Sequence, residues 1–222
     1  MTRPTPPAQT VLVTGFEPFG GETLNPSWEA ARALDGERLG HAVFAARRLP
    51  CVVDDAGPAL IDAIEELDPA LVLCLGLAGG RTDVSIERVA INVVDARIPD
   101  NAGRQPVDEP VVEGGPAAYF STLPIKAMLR ALHDDGIPAS ISSTAGTYVC
   151  NAVFYALAHY LANERPALRG GFIHVPWLPS MATRHAGAPS LALDAVVQAV
   201  RVMAVTALGV ERDIRLAAGT TH

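Results

Sequence analysis

The sequence has no run near the roughly 18 consecutive apolar residues that a membrane-spanning helix needs, and it is short of cysteine, aromatic residues and positive charge. Three cysteines in 222 residues are too few, and odd in number, for a disulfide scaffold; they point to a reducing cytoplasm and at least one free thiol. Lys and Arg total 17 against 24 Asp and Glu, a net charge of −7, so neither a nucleic acid nor an anionic membrane is an expected partner. The histidines, His41, His133, His159, His174, His185 and His222, never fall at HxH or HExxH spacing, and no CxxC occurs. No metal site is therefore expected. The phosphate-loop ending GK[S/T] and the GxGxxG fingerprint are missing too. Residues 1–10, MTRPTPPAQT, lack the apolar stretch of a secretion signal and read as a disordered arm.

What is present is an apolar share of 49% with 18% charged residues, which suits a folded core rather than a disordered chain. Residues 11–222 read as a single α/β domain, long enough to bury roughly 70% of its unfolded surface. Strand-like runs at Val11–Thr14, Val43–Leu49, Leu71–Leu75, Ser85–Val94, Ala139–Ser143 and Phe172–Val175 alternate with five segments of helical period. The fold class that follows is an open twisted, mixed but mainly parallel sheet with helices on both faces, an α/β/α sandwich. Asn25 and Pro26 open the first helix and Gly36 follows it; Ser190 is the expected cap of the terminal helix. Asp95–Leu123, dense in Gly and Pro, reads as a partly ordered surface excursion. His133 and His159 fall on helices and read as solvated.

Several residues could carry chemistry. Cys74 lies inside an apolar strand and reads as a small hydrophobe, whereas Cys51 at a strand end is open to either reading. Cys150 follows TAGTYV, where a strand turns into a helix beside Thr144 and Thr147 as capping candidates. Unpaired N–H groups and the positive end of the helix would favour a thiolate there, with a buried core thiol as the alternative. His174, in FIHVP, ends a strand. The loops GFEPFGG, GLAGGRTD, TAGTYVC and HVPWLP all lie at carboxyl ends of strands, where open α/β sheets bind ligands. In a strand over Ser85–Val94, Glu87 shares an apolar stripe with Val89, Ile91 and Val93. It either orients the imidazole in a Cys–His–acid set or pairs structurally with Arg81 or Arg88.

Six stretches resemble pyroglutamyl-peptidase I (pyrrolidone-carboxylate peptidase), a cysteine peptidase family: VLVTGFEPFGGETLNPSWEA, GGRTDVSIERVAIN, DARIPDNAGRQP, GGPAAYFSTLPIKAM, GIPASISSTAGTYVCN and GFIHVPWLP. The likeness runs from about Val11 to Leu208. It implies hydrolysis of the bond after an N-terminal pyroglutamate through an acyl-enzyme, with Cys150 as nucleophile, His174 as base and Glu87 as third member. It also implies a cytoplasmic homotetramer (or homodimer) acting on peptide substrates without a cofactor. The helix start at Cys150 is the candidate oxyanion hole and Arg88 a candidate second donor.

The lactam ring is uncharged, so its pocket is expected to be apolar with few polar contacts. The resemblance makes Phe16 and Phe19 its walls, closed by Val149. Two positions depart from the family pattern: Leu77 replaces the glutamine of GQAGG, and Cys51 replaces a threonine. One donor and one acceptor on the main chain of residue 77 would match the lactam without a glutamine. Two other readings exist: a nucleoside- or phosphate-binding α/β enzyme suggested by the glycine loops, and a binding module that kept the scaffold.

Overall fold

The computed structural model describes residues 9–219. In chain order the elements are β1 (Gln9–Phe16), α1 (Pro26–Leu34), β2 (Arg38–Leu39), β3 (Ala42–Leu49), α2 (Val53–Leu67), β4 (Leu71–Leu77), β5 (Val84–Glu87), β6 (Val89–Ile91) and β7 (Ala118–Phe120). They continue with α3 (Ile125–Asp134), β8 (Ala139–Ser142), α4 (Val149–Asn163), β9 (Arg169–Val175), α5 (Pro179–Ala182) and α6 (Leu193–Gly209). Residues 1–8 of the expected arm lie outside the described residues. Its last two, Gln9 and Thr10, pair with Ala42 and Val43, so β1 includes residues expected to belong to the arm.

Local chemistry sets most boundaries. Asn25 caps α1 by accepting the Ser27 N–H at 3.1 Å, Pro26 fills the first turn, and Gly36 takes φ +75° after its end. β4, LVLCLGL, is buried at every residue, as befits a central strand covered on both faces. Two expected caps are not used. α6 starts at Leu193 behind Ala192, and Ser190 instead bridges to Trp177. The cap position of α4 is Tyr148, with no capping side chain.

Seven strands form the main sheet in the order β2-β3-β1-β4-β9-β5-β8. β3, β1, β4 and β9 run parallel, β5 runs antiparallel to β9, and β8 is parallel to β5. After β1 the chain steps outward to β3, then crosses back to β4 on the other side of β1. That reversal places a topological switch point between the carboxyl ends of β1 and β4. One face of the sheet packs on α1, α3 and α6 and the other on α2 and α4.

The expected strand Ser85–Val94 is two strands in two sheets. At Arg88 the N–H donates to Ser142 O at 2.9 Å while the carbonyl accepts from Ser121 N–H. The chain thereby leaves the main sheet, and β6 pairs with β7 in a separate ribbon. Glu87 therefore ends β5 and shares no stripe with Val89 or Ile91.

Candidate active site

Past its switch point the sheet opens a crevice. The β1–β4 ladder ends at Thr14–Cys74, and the Phe16 N–H turns aside to Ser27 Oγ at 3.0 Å. Gly15 permits this because a Cβ there would stand 2.4 Å from the Ser27 carbonyl. Ala78 N–H donates to Val175 O, so the main-chain groups of Leu77, one residue earlier, face the opposite side, toward the opened β1 edge. The Leu77 side chain is buried.

His174 and Glu87 reach this region from β9 and β5. Both are buried, and His174 Nδ1 lies 2.7 Å from Glu87 Oε1. A carboxylate oxygen only accepts, so Nδ1 carries the proton and Nε2 is left with a lone pair. The Phe172 ring, two residues before on the same face, packs 4.9 Å from the imidazole, centroid to centroid. Arg81 also reaches Glu87 Oε1, through Nη1 at 2.7 Å. The expected alternatives for Glu87, orienting the imidazole or pairing with arginine, thus occur together.

Cys150 is half-buried and unpaired at the first turn of α4. Gly76 is the register partner of His174, and a Cβ on Gly76 would stand 2.9 Å from the Cys150 sulfur. The thiol therefore rests on the strand next to the histidine, on the same face, across one strand spacing of about 4.8 Å. The turn is held from outside. Thr147 Oγ1 donates to Asp95 O at 2.8 Å and Tyr148 OH to Pro99 O at 3.1 Å. Buried Asn151 takes the Ile91 N–H at 3.0 Å and donates to the carbonyls of Ile91 and Val93. These bonds engage Thr147 outside the helix, and Thr144 Oγ1 accepts from Gly146 N–H instead, which is why neither threonine caps α4.

The electrostatics differ from expectation. Burial pushes the Cys150 thiol up, with Cys51 and Glu87 adding to the rise and Arg81 opposing it. Desolvation is the largest influence, and it favours the thiol over the thiolate. Burial holds the His174 imidazole below its usual 6.5, against the hydrogen bond and charge of Glu87. The resting pair is neutral thiol and neutral imidazole. Cys51 and Cys74 are both pushed up to about 12 by burial.

The expected pocket residues are distributed unevenly. Phe16 is fully buried and packs on Phe172 at 6.3 Å, while Phe19 is only partly covered and packs on Tyr148 at 6.3 Å. Val149 is buried directly before Cys150. Cys51 lies behind them, its N–H donating to Glu17 Oε1 at 3.0 Å. Arg88 makes no side-chain hydrogen bond or ion pair among the described residues; the arginine on the acid is Arg81. Of the histidines read as solvated, His159 instead packs on Tyr155 and lies 3.0 Å from Tyr119 OH. Among the described residues no three His, Cys, Asp or Glu side chains converge as a metal cage, and no helix is long and apolar enough to cross a membrane.

Sequence reasoning passed over Gly76, Asn151, Tyr148 and the second contact of Arg81, to the Thr144 carbonyl. Asn151 had a readable signal, a polar residue in the apolar first turn of VCNAVF; Gly76 shows its purpose only once α4 is placed over β4.

Comparison with known proteins gives the family. The profile described as "Pyroglutamyl peptidase" matches residues 9–210. A pyrrolidone-carboxylate peptidase of Cupriavidus taiwanensis is 59% identical over 215 residues, covering 96% of this chain and 99% of its own. One from Klebsiella pneumoniae is 58% identical over 212 residues, with 96% and 99% covered. The crystal structure of pyroglutamyl peptidase I from Bacillus amyloliquefaciens superposes with a TM-score of 0.92 at 47% identity, covering 94% of this chain and 99% of that one. With its whole fold and nearly all of its length shared with these enzymes, the chain belongs to the pyroglutamyl peptidase family.

Proposed function

We propose that this pyroglutamyl peptidase works through a Cys150–His174–Glu87 triad and an acyl-enzyme. The observation that carries the reading is the sulfur of Cys150 against Gly76, the register partner of His174, whose Nδ1 is held by Glu87. His174 Nε2 takes the thiol proton as Sγ attacks the carbonyl carbon that follows the pyroglutamyl ring. The developing oxyanion meets the Cys150 N–H at the uncapped start of α4. Imidazolium then gives its proton to the departing amine, leaving a thioester. Nε2 next takes a proton from water, hydroxide adds to the thioester, and free pyroglutamate and the thiol return.

The lactam is assigned to the crevice between β1 and β4, flanked by Phe16, Phe19 and Val149. The main chain of Leu77 supplies one donor and one acceptor, which is why a leucine serves in place of glutamine. Arg88 is retained as a candidate oxyanion donor only. Family membership sets aside the nucleoside- and phosphate-binding reading. A cytoplasmic homotetramer or homodimer acting on peptides with an N-terminal pyroglutamate completes the proposal; it rests on the resemblance and on the sparse cysteines.

The test is release of a fluorescent amine from a pyroglutamyl amide, with acid-quench mass spectrometry for the thioester. His174→Ala should lose on the order of 10³ in kcat, and Glu87→Gln should fall less because it keeps shape and a hydrogen bond. Near wild-type turnover in His174→Ala would defeat the triad.

A further inference from the structure

We propose that Arg81 is a positioning residue for the triad: one guanidinium sets the orientation and proton occupancy of the Glu87–His174 pair and ties that pair to the turn carrying Cys150. The proposal rests on the triad reading above.

The geometry is a three-way junction. Arg81 sits in the loop from β4 to β5. Its Nη1 donates to Glu87 Oε1 at 2.7 Å, the same oxygen that accepts from His174 Nδ1 at 2.7 Å. Its Nη2 donates to the carbonyl of Thr144 at 3.0 Å, in the turn between β8 and α4. One planar fork therefore joins the end of β5 to the turn before α4, and through Glu87 reaches His174 of β9, a geometry that lysine's point charge cannot reproduce.

Glu87 depends on this contact. The residue is fully buried, and its second oxygen, Oε2, has no hydrogen-bond partner among the described residues. With His174 held neutral by burial, Arg81 is the lasting positive partner of the carboxylate. Removing one member of a buried pair strands the other. The carboxylate would then be held through its bond to His174 Nδ1 alone and could turn about it, so the imidazole would lose its fixed plane.

Charge works in the same direction. The groups facing the imidazole are Glu87 from β5, Arg81 from the loop after β4 and Cys150 from α4, with Cys51 and Tyr148 behind the thiol. Among these Arg81 is the cation. A positive charge beside the pair disfavours a second one on the imidazole, so Nε2 stays available as a base. Taking the charge away lets the Glu87–His174 pair bind its proton at higher pH. The side chain is only 27% exposed, which limits screening of this effect by water.

The experiment compares Arg81→Met, Arg81→Lys and His174→Ala with wild type, by pH profiles of kcat and kcat/KM for a pyroglutamyl amide. Arg81→Met should lower kcat by about 10- to 100-fold with KM nearly unchanged, and should move the acid limb of kcat/KM up by about one pH unit. Arg81→Lys keeps the charge but not both hydrogen bonds. Its acid limb should return toward wild type while kcat stays several-fold low. An ion pair that only stabilises the fold would lower the melting temperature and leave the acid limb in place. That result, or wild-type kcat in Arg81→Lys, overturns the proposal while an inactive His174→Ala keeps the triad standing. Should Arg81→Met fail to fold, kcat in Arg81→Lys decides. An active His174→Ala would overturn both.

Discussion

The two faces of β4, β9 and β5 are written by alternate residues of the same three strands, and they could hardly differ more. Toward α1, α3 and α6 point Leu71, Leu73, Leu75, Ile173, Val175, Val84 and Ile86, an aliphatic layer without a polar atom. Toward α2 and α4 the same strands offer Cys74, Gly76, Phe172 and His174, with Ser85 and Glu87 from β5. One face is a core that could be repacked with other aliphatics of similar volume. The other keeps a buried carboxylate and imidazole, both expensive to bury unless each is hydrogen-bonded. The period of two along a strand lets one sheet separate stability from chemistry with no extra layer.

Paired substitutions on the two faces break or sharpen this contrast. The largest expected effect is on the reactive face: Cys150→Ala should fold, lose on the order of 10³ or more in kcat, and resist inactivation by thiol alkylators. Its counterpart Ile173→Ala should cost about 2–5 kcal/mol in denaturant titration and leave kcat of the folded enzyme nearly intact. If Ile173→Ala reduced turnover as severely as Cys150→Ala, the faces would not be separable.

Gly76→Ala should come next. The added methyl would sit 2.9 Å from the Cys150 sulfur and 2.7 Å from the Phe172 ring, displacing the thiol. A shift of that kind is expected to cost about 100-fold in kcat and about 1–3 kcal/mol in stability from overpacking. Full activity would mean that the thiol does not depend on the bare strand.

The pH response separates the faces a third way, since only one of them titrates. His174 has a lowered pKa in the fold, so the unfolded chain takes up the proton first as pH falls. Its contribution to stability is present above 6.5 and is lost below it. Cys51 and Cys74 have raised values, so their contribution is complete below 9.0 and is lost as pH rises toward about 12. Melting temperature should therefore fall at both ends, and His174→Gln should flatten the acid side. An unchanged acid limb of stability in that variant would show that the imidazole is not held neutral by burial.

Leu77→Gln should have the smallest effect, under about tenfold in kcat/KM for a pyroglutamyl amide, or roughly 1.4 kcal/mol. A prolyl amide, which lacks the lactam oxygen and carries a charged amine, should react about 10⁴ times more slowly with either protein. A large gain for Leu77→Gln on the pyroglutamyl substrate would show that the side chain, and not the main chain, reads the ring.

Much of this was legible before any coordinates. Apolar runs and helical periods placed the main strands and long helices, because burial imposes those periods on any sheet covered on both sides. Cys150 and His174 were legible as candidates at the carboxyl ends of strands, and the fold brings them to adjoining positions on one face. Glu87 was legible as an odd carboxylate, but for a partly wrong reason. The stripe it was read against breaks at Arg88, where hydrogen bonding passes from β8 to Ser121. Val89–Ile91 keeps the same alternation in its own small ribbon, so the sequence pattern cannot show the break.

The sequence alone determined the element types, the mainly parallel sheet and the residue chemistries available at its edge, since these follow from periodicity and from what each side chain can donate, accept or attack. Only the tertiary structure decided which of them meet. Gly76 lies 74 residues from Cys150 in number yet directly beneath its sulfur, and Arg81 closes on Glu87 and Thr144 from a third loop. It also set the direction in which burial moves the thiol and the imidazole, both toward their neutral forms, because desolvation is a property of the packed interior.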